Sequence, residues 1–238
     1  MKGKNLQRFF LDLLFPPKCM FCGCTLPRSD TLLACGTCLR KLPYTKNDGC
    51  FGGTENVAYV IAPFHYVDPV PRALRDYKFK KRRMYAESLA HFMVRYLARV
   101  GEARCADLIL PVPLGPKRLY ERGFNQSELV AKNAARELGI EYDGDILIRT
   151  RETKRQSSLS LPQRKENVMG AFGCAQAVEG KCIVLVDDIF TSGSTAESCA
   201  RALKAAGARK IILAVLATAS KRTEIENLQN RITPIRTK

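Results

Sequence analysis

The sequence predicts an α/β protein with a parallel sheet, preceded by a small N-terminal metal-binding domain. Two continuous apolar runs, at 181–186 and 211–216, are typical of strands that are buried on both faces. Segments with helical spacing alternate with the apolar runs, and this alternation favours parallel strands joined by right-handed crossovers. Two CxxC pairs within the first fifty residues predict the metal-binding part.

We divide the chain into an N-terminal double-zinc-ribbon-like knuckle (1–50), an α/β domain (51–220) and a polar C-terminal tail (221–238). The elements of the α/β domain are predicted from their hydrophobic periodicity and their stop signals. In chain order they are a strand at 57–61, a helical pattern at 71–100, a strand at 107–110, a helix at 126–138 that stops at Gly139, a buried strand at 181–186, a helix at 195–206 closed by Gly207, and a final buried strand at 211–216.

The composition excludes a disordered chain and indicates an anionic partner. Hydrophobic residues make up 46% of the 238 residues, which is enough for a substantial core. No apolar run approaches the roughly 18 residues that a membrane helix needs. The apolar stretch at 9–15 contains an acid and is not followed by a cleavage site, so we expect a cytoplasmic protein without a signal peptide. The net charge of +16 favours a nucleic acid, a membrane surface or a phosphorylated substrate as partner, and a generally basic surface is the alternative.

The N-terminal cysteines have the spacing of a structural zinc site. A two-residue spacer lets one tight turn present two sulfurs to one ion, and Gly23 supplies the permissive backbone that such a turn needs. Four thiolates complete the tetrahedron around Zn²⁺ and leave no open position for catalysis. Reduced thiols without metal are the alternative, and Cys24 or Cys50 could replace a ligand. The four predicted ligands are Cys19, Cys22, Cys35 and Cys38.

The segment that carries most chemistry begins where the buried strand at 181–186 ends. Asp187 and Asp188 follow this strand, at the edge where ligands bind in open α/β sheets. The hydroxyl-rich stretch 191–195 then enters a helix, and its N–H groups, its hydroxyls and the helix dipole together make a phosphate cradle. It is not a P-loop, because no Lys follows the glycine. Ribose 5-phosphate fits such a site, since its hydroxyls can donate to the carboxylates while the cradle holds its phosphate. An ordinary strand end and helix cap is the alternative.

Residues 183–195 closely resemble the phosphoribosyl-pyrophosphate (PRPP) motif of type I phosphoribosyltransferases. Over nearly the whole chain, further motifs resemble the ComF family of competence-associated proteins. These motifs are PPKC (16–19) with the paired CxxC, PVPL (111–114), ERGFNQ (121–126), Arg149 with Gln156, Leu159, Arg164 and Asn167, and GAF (170–172). The resemblance implies the Rossmann-like parallel sheet of type I phosphoribosyltransferases, PRPP as the ligand, and a role in DNA uptake during natural competence and transformation.

The resemblance also implies a role for each part of the motif. Asp187 and Asp188 would contact the ribose hydroxyls as catalytic residues. The loop at 111–126 would bind pyrophosphate through Arg118 and Arg122, because the guanidinium fork suits phosphate oxygens. Mg²⁺ is implied by the substrate and not by a protein cage, so we assign it no side-chain ligand. The residues implied to hold the 5′-phosphate are Thr191, Ser192, Gly193, Ser194 and Thr195.

The stretch 149–167 is implied to be a mobile loop that closes over the reacting centre. Lys154 and Arg155 are its predicted catalytic cations, and the polar stretch 156–158 beside them is typical of a mobile segment. Closure would exclude water from an oxocarbenium-like centre, where PRPP would otherwise hydrolyse. A solvated basic loop is the alternative.

A second group of cations lies outside the PRPP motif, at 72–99. This stretch has nine basic residues and two acids, and aromatic residues are interleaved among the cations. Cations that follow a phosphate backbone, with aromatics that stack bases, favour binding to single-stranded nucleic acid. A solvated helix face with its aromatics in the core explains the pattern equally well. The residues predicted to bind nucleic acid are Lys78, Lys80, Lys81, Arg82 and Arg83.

Two functions remain open from the sequence. The first is a PRPP-dependent phosphoribosyltransferase that moves ribose 5-phosphate to an acceptor that the sequence does not identify. The second is a non-catalytic protein that binds single-stranded DNA, uses the fold as a scaffold and works with a competence translocase or helicase. The intact pair Asp187–Asp188 favours ligand binding, because a pure scaffold would not require both acids.

Overall fold

The computed structural model describes residues 16–153 and 160–219. The apolar stretch at 9–15, the predicted loop cations Lys154 and Arg155, and the tail at 221–238 lie outside the described residues. Among the described residues, no helix is long and apolar enough to cross a membrane.

The predicted parallel sheet is confirmed. The strands of the described residues are β1 (Cys50–Gly52), β2 (Tyr59–Ile61), β3 (Phe64–His65), β4 (Leu108–Pro111), β5 (Glu141–Tyr142), β6 (Leu147–Arg149), β7 (Phe172–Cys174), β8 (Cys182–Phe190) and β9 (Lys210–Thr218). The large sheet runs in the order β1-β2-β9-β8-β4-β5, with β3 also paired to β9. All of its pairings are parallel except that of β1 with β2, while β6 and β7 form a separate antiparallel pair.

Helices cover both faces of the large sheet. The helices of the described residues are α1 (Gly36–Lys41), α2 (Val70–Phe79), α3 (Tyr85–Leu97), α4 (Gly101–Arg104), α5 (Pro116–Arg122), α6 (Gln126–Leu138), α7 (Leu161–Val168) and α8 (Ser194–Ala205). Successive strand residues point to opposite faces, so Val184 joins a core with α2, α3 and α6, whereas Leu185 joins a core with α8 and the β6–β7 pair. The central strands are therefore buried on both sides, as the apolar runs predict.

The N-terminal cysteine segment packs onto the face of the sheet that α3 covers. Phe21 is buried, and the centre of its ring lies 6.3 Å from that of Phe64 and 6.2 Å from that of Phe92, both in edge-to-face geometry. A guanidinium nitrogen of Arg72 donates to the carbonyl of Phe21 over 2.8 Å. The knuckle therefore shares a core with the α/β domain, and a boundary at residue 50 stays a prediction.

The helical pattern predicted at 71–100 is two helices and not one. α2 ends at Phe79 and α3 begins at Tyr85. Between them Lys81 has a φ of +52°, a left-handed conformation that an α-helix does not contain. The run of four cations at 80–83 offers no apolar side chain to continue the buried stripe, so the chain leaves the helix there. These four exposed residues lie on a connecting loop and not on a helix face, but two of the interleaved aromatics, Tyr77 and Tyr85, are buried in the core, as the alternative predicts.

Candidate functional site

Two carboxylates meet at the carboxyl-terminal part of β8, where four other groups contact them. Oδ1 of Asp187 accepts from the peptide N–H of Asp188 over 2.8 Å and from the hydroxyl of Ser127 over 3.2 Å. Oδ2 of Asp188 accepts from Nε2 of Gln126 over 2.9 Å and lies 2.7 Å from Nζ of Lys78. Three elements, α2, α6 and β8, therefore converge on one pair of acids.

The two acids differ in their electrostatic setting. Burial raises the pKa of Asp187 to about 7, and the nearby charge of Asp188 acts in the same direction. The peptide N–H of Asp188, the charge of Lys78 and the hydroxyl of Ser127 oppose this rise but do not cancel it. The carboxyl of Asp187 can therefore take up or release a proton near neutral pH.

The first turn of α6 presents its polar side chains to the acids because Asn125 caps the helix. The side chain of Asn125 accepts from the N–H of Ser127 over 3.1 Å and donates to the carbonyl of Val112 over 3.0 Å. The hydroxyl of Tyr77 donates to the carbonyl of Gln126 over 2.9 Å. Sequence reasoning did not assign roles to Gln126 and Ser127. The available signal was a capping Asn followed by two polar residues at the start of a helix.

The loop that follows β8, at 191–195, leads into α8 in a conformation that requires glycine. Gly193 has a φ of +72°, and a Cβ at this position would lie only 3.0 Å from the ring of Phe190. The hydroxyls of Ser192 and Ser194 lie 2.9 Å apart. The loop lines a small depression of about 30 Å³, and we call residues 191–195 the phosphate loop after the role that the sequence predicts for them. Its hydroxyls and the N-terminus of α8 give it the donors that a phosphate needs.

Glu197 fixes the other side of the phosphate loop to the loop that precedes β2. Its carboxylate accepts from the hydroxyl of Thr54 over 2.5 Å, from the N–H of Asn56 over 3.1 Å and from the side-chain amide of Asn56 over 2.6 Å. Burial acts to raise the pKa of Glu197, but these hydrogen bonds outweigh burial and lower it. Glu197 is therefore a charged anchor for the start of α8, and sequence reasoning did not identify it.

A cavity of about 540 Å³ opens beside Asp187 and Asp188. Its volume lies within the range of about 300–1,000 Å³ that is typical of small-molecule sites. Its lining contains five cationic side chains and three acidic ones, an excess that suits a multiply charged anion. The cations are Arg75, Lys78, Arg118, Arg122 and Arg149, and the acids are Glu121, Asp187 and Asp188. The structure thus brings Arg118 and Arg122 to the same cavity as the two predicted ribose-binding acids.

The arginines of the cavity wall are held by neighbouring groups. Arg122 donates to Oε1 of Gln126 over 2.6 Å, which links this arginine through the amide to Asp188. The guanidinium of Arg149 lies 5.2 Å from the centre of the Phe172 ring. Burial lowers the pKa of Arg149, although an arginine stays protonated under physiological conditions. Arg149, at the start of the predicted mobile loop, is therefore part of the cavity wall.

The structure separates Lys78 from the other cations predicted to bind nucleic acid. The side chain of Lys78 is 13% exposed and its ammonium group pairs with Asp188 inside the cavity. Residues 80–83 are exposed on the loop between α2 and α3, which we call the basic loop. Binding of nucleic acid by any of these residues stays a prediction.

The four predicted zinc ligands lie together. Their sulfur atoms are all within 4.8 Å of one another, and those of Cys22 and Cys35 are 3.7 Å apart. Gly23 has a φ of +80°, so the turn after Cys22 uses the left-handed conformation that the sequence predicts. The peptide N–H of Cys24 is the main cause that lowers the pKa of Cys22 to about 6, which favours a thiolate. The cluster, which consists of Cys19, Cys22, Cys35 and Cys38, can hold a metal ion.

Comparisons with known proteins identify the family of this chain. A family model described as "Phosphoribosyl transferase domain" matches residues 125–232. The chain is 32% identical over 191 residues to the DNA utilization protein YhgH of Shigella flexneri, with 79% of each chain covered. It is 29% identical over 201 residues to Competence protein F of Haemophilus influenzae, with 82% of each chain covered.

Among solved structures, a purine phosphoribosyltransferase from Pyrococcus horikoshii has a TM-score of 0.36 and 21% identity, covering 55% of this chain and 73% of that chain. The family is shown by the sequence relatives, which are aligned over about four fifths of the chain, and by the domain match. The chain belongs to the ComF family of proteins with a phosphoribosyltransferase fold.

Proposed function

We propose that the protein binds PRPP, or a related ribose 5-phosphate ligand, in the cavity beside β8. One observation carries this proposal: Asp187 and Asp188 lie next to the phosphate loop and face a cavity with an excess of cations. The ribose hydroxyls would donate to the two carboxylates, and the 5′-phosphate would accept from the phosphate loop. Arg118 and Arg122, which also line the cavity, would bind the pyrophosphate group.

The same arrangement suits transfer of the phosphoribosyl group. In that step the bond between ribose C1 and the pyrophosphate oxygen breaks, and an acceptor atom forms a new bond to C1. The carboxylates of Asp187 and Asp188 would stabilise the positive charge that develops on the sugar. Lys154 and Arg155 would close over the leaving pyrophosphate. Mg²⁺, when bound, would neutralise phosphate charge through the substrate's own oxygens and through waters, so no residue of this chain is assigned to it.

We also propose that the four-cysteine cluster holds structural Zn²⁺. Zinc–sulfur bonds of about 2.3 Å in a tetrahedron separate the sulfurs by about 3.8 Å. The separation of 3.7 Å between the sulfurs of Cys22 and Cys35 fits this geometry. The ion would stabilise the knuckle, whose Phe21 then packs against the α/β core.

The names of the relatives favour a place for this chain in DNA uptake. The relatives are called a DNA utilization protein and a competence protein. A second candidate function is therefore a cytoplasmic, non-catalytic partner of a competence translocase or helicase that binds single-stranded DNA. The exposed basic loop favours it, because its four cations are displayed together on the surface.

The test of the PRPP proposal is calorimetric titration with PRPP at a fixed Mg²⁺ concentration. We expect saturable binding to the wild type and its loss in the double variant Asp187→Asn/Asp188→Asn, with folding checked by circular dichroism. The matched control is Asp30→Asn/Asp145→Asn, which changes the charge equally at exposed positions outside the cavity and keeps binding. Absence of binding to the wild type, or equal binding to the carboxylate variant, would overturn the proposal.

A further inference from the structure

The basic loop is continuous with the mouth of the cavity. The guanidinium of Arg83 donates to the carbonyl of Gly123, and it lies 5.1 Å from the centre of the Phe124 ring. Gly123 directly follows Arg122, which lines the cavity. At the end of α2, just before the basic loop, Lys78 also lines the cavity. The two groups of cations that are separate in the sequence therefore form one surface that leads out of the cavity.

Phe79 lies at the point where the basic loop meets the cavity. Its side chain lines the cavity and is 64% exposed, so much of the ring is open to solvent. The guanidinium of Arg122 lies 5.4 Å from the centre of this ring. An exposed aromatic ring among cations is the combination that stacks the bases of single strands.

Part of the charge on the basic loop is not balanced by nearby acids. Lys80 pairs with Asp76, which lies one turn earlier in α2, at 3.0 Å. Lys81 and Arg82 make no ion pair with a carboxylate in the described part of the chain. Two exposed cations are therefore available to phosphates just beyond Phe79.

We propose that single-stranded nucleic acid binds at this mouth and that the strand and PRPP exclude each other. A base stacks on Phe79 and the flanking phosphates pair with Lys81 and Arg82, while Arg122 contributes to both sites. Arg122 lines the cavity and also lies 5.4 Å from the centre of the Phe79 ring, so two anions bound at once would share this cation and repel each other. The inference rests on the proposed PRPP site, and its consequence is that the concentration of a small phosphoribosyl ligand controls strand binding.

The first test measures strand affinity by fluorescence anisotropy of a labelled oligothymidine, at constant Mg²⁺ and ionic strength, with and without PRPP. We expect saturating PRPP to weaken strand binding at least about fivefold, on the order of the interaction between two exposed charges. In Asp187→Asn/Asp188→Asn, which no longer binds PRPP, added PRPP should leave the strand affinity of that same variant unchanged. Sulfate at matched ionic strength is the control for a general salt effect.

The second test separates stacking from charge. Phe79→Leu keeps an apolar side chain without a ring and should weaken strand binding at least about fivefold, whereas Phe79→Tyr should bind as the wild type does. Lys81→Ala/Arg82→Ala should lower the salt slope by about 1.4, or about 0.7 for each lost phosphate contact. The control Arg104→Ala/Lys204→Ala removes the same charge at the opposite, amino-terminal edge of the sheet and should leave the affinity nearly unchanged.

The outcomes distinguish the inference from the function on which it rests. If PRPP binds the wild type and strand affinity is unchanged at saturation, mutual exclusion is wrong and the PRPP site stands. If PRPP does not bind at all, the proposed function fails and exclusion fails with it. Unaltered strand affinity in Phe79→Leu, or no strand binding by the wild type, would overturn the assignment of Phe79.

Discussion

Nζ of Lys78 lies 2.7 Å from Oδ2 of Asp188, and this ion pair joins α2 to the carboxyl-terminal part of β8. The same oxygen accepts from Gln126 at the start of α6. The relationship assigns Lys78 to the cavity, although its place among the cations of 72–99 suggests a surface role. It also means that the charge on the acid pair depends on a residue far away in the sequence.

Replacing Lys78 with methionine should destabilise the protein most at alkaline pH. The variant Lys78→Met leaves the charge of Asp188 beside that of Asp187 without a cation. We expect a loss of about 2–3 kcal/mol in the free energy of unfolding at pH 8. This is less than for a fully buried pair, because the two side chains are 13% and 15% exposed. At pH 5, protonation of Asp187 relieves its repulsion with Asp188, so the loss in the free energy of unfolding should be smaller.

The measurement is urea denaturation of wild type and variant at both pH values. Lys80→Met is the matched control, because the side chain of Lys80 is 65% exposed in its pair with Asp76. This control should change the free energy of unfolding by less than about 1 kcal/mol at either pH. Equal losses for the two variants would contradict the role given to Lys78.

The raised pKa of Asp187 predicts that this group makes folding less favourable as the pH rises from about 4 to about 7. In that window the folded state binds more protons at this position than the unfolded state does. Its contribution to stability is therefore complete below pH 4 and is lost as the pH rises through the folded-state pKa. Asp187→Asn should remove this dependence, so its Tm relative to the wild type should increase with pH. A constant difference in Tm from pH 4 to pH 8 would refute the assignment.

Gly193→Ala should reduce both stability and PRPP affinity, because the added methyl group meets Phe190 at 3.0 Å and the residue has a positive φ. Gly180→Ala is the matched control: its φ is +69°, and no atom lies within 4 Å of the added Cβ. The backbone strain alone should cost about 1 kcal/mol at both positions. We expect a larger loss of stability in Gly193→Ala than in Gly180→Ala, and weaker PRPP binding in Gly193→Ala only. Such a difference would show that the phosphate loop has no room for a side chain at position 193. Identical behaviour of the two variants in denaturation and titration would contradict it.

Cys22→Ser should release the metal and lower the Tm, because three thiolates hold Zn²⁺ less tightly than four and the knuckle packs on the α/β core. Cys105→Ser removes an exposed thiol outside the N-terminal segment and should keep the metal content near one zinc per chain. Metal analysis by mass spectrometry and thermal denaturation with and without a chelator are the measurements. Carefully purified wild type without metal, or full zinc in Cys22→Ser, would count against the zinc proposal.

The sequence predicted the elements whose signal is local. The apolar runs that became β8 and β9 are buried on both faces, and the helix predicted at 126–138 has the same bounds in the structure. The CxxC spacing likewise brings four sulfurs together, because each pair needs only one turn. The phosphate loop is also local, since it connects a strand directly to the next helix.

What the sequence did not predict depends on contacts between distant segments. Gln126 and Ser127, which hydrogen-bond to the two acids, come from α6. The sequence around these two residues does not indicate which strand end they face. The pattern at 71–100 did not reveal that the helix ends at Phe79 and a second helix begins at Tyr85. The run of charges at 80–83 is compatible with either a polar helix face or a loop. This break decides that Lys78 lies in the cavity while the basic loop lies on the surface.

A crystal structure with PRPP and Mg²⁺ bound would show whether the cavity beside β8 is the PRPP site. We expect the 5′-phosphate on the phosphate loop, the ribose hydroxyls within hydrogen-bond distance of Asp187 and Asp188, and the pyrophosphate near Arg118 and Arg122. An empty cavity at saturating ligand, or PRPP bound elsewhere on the chain, would contradict this expectation.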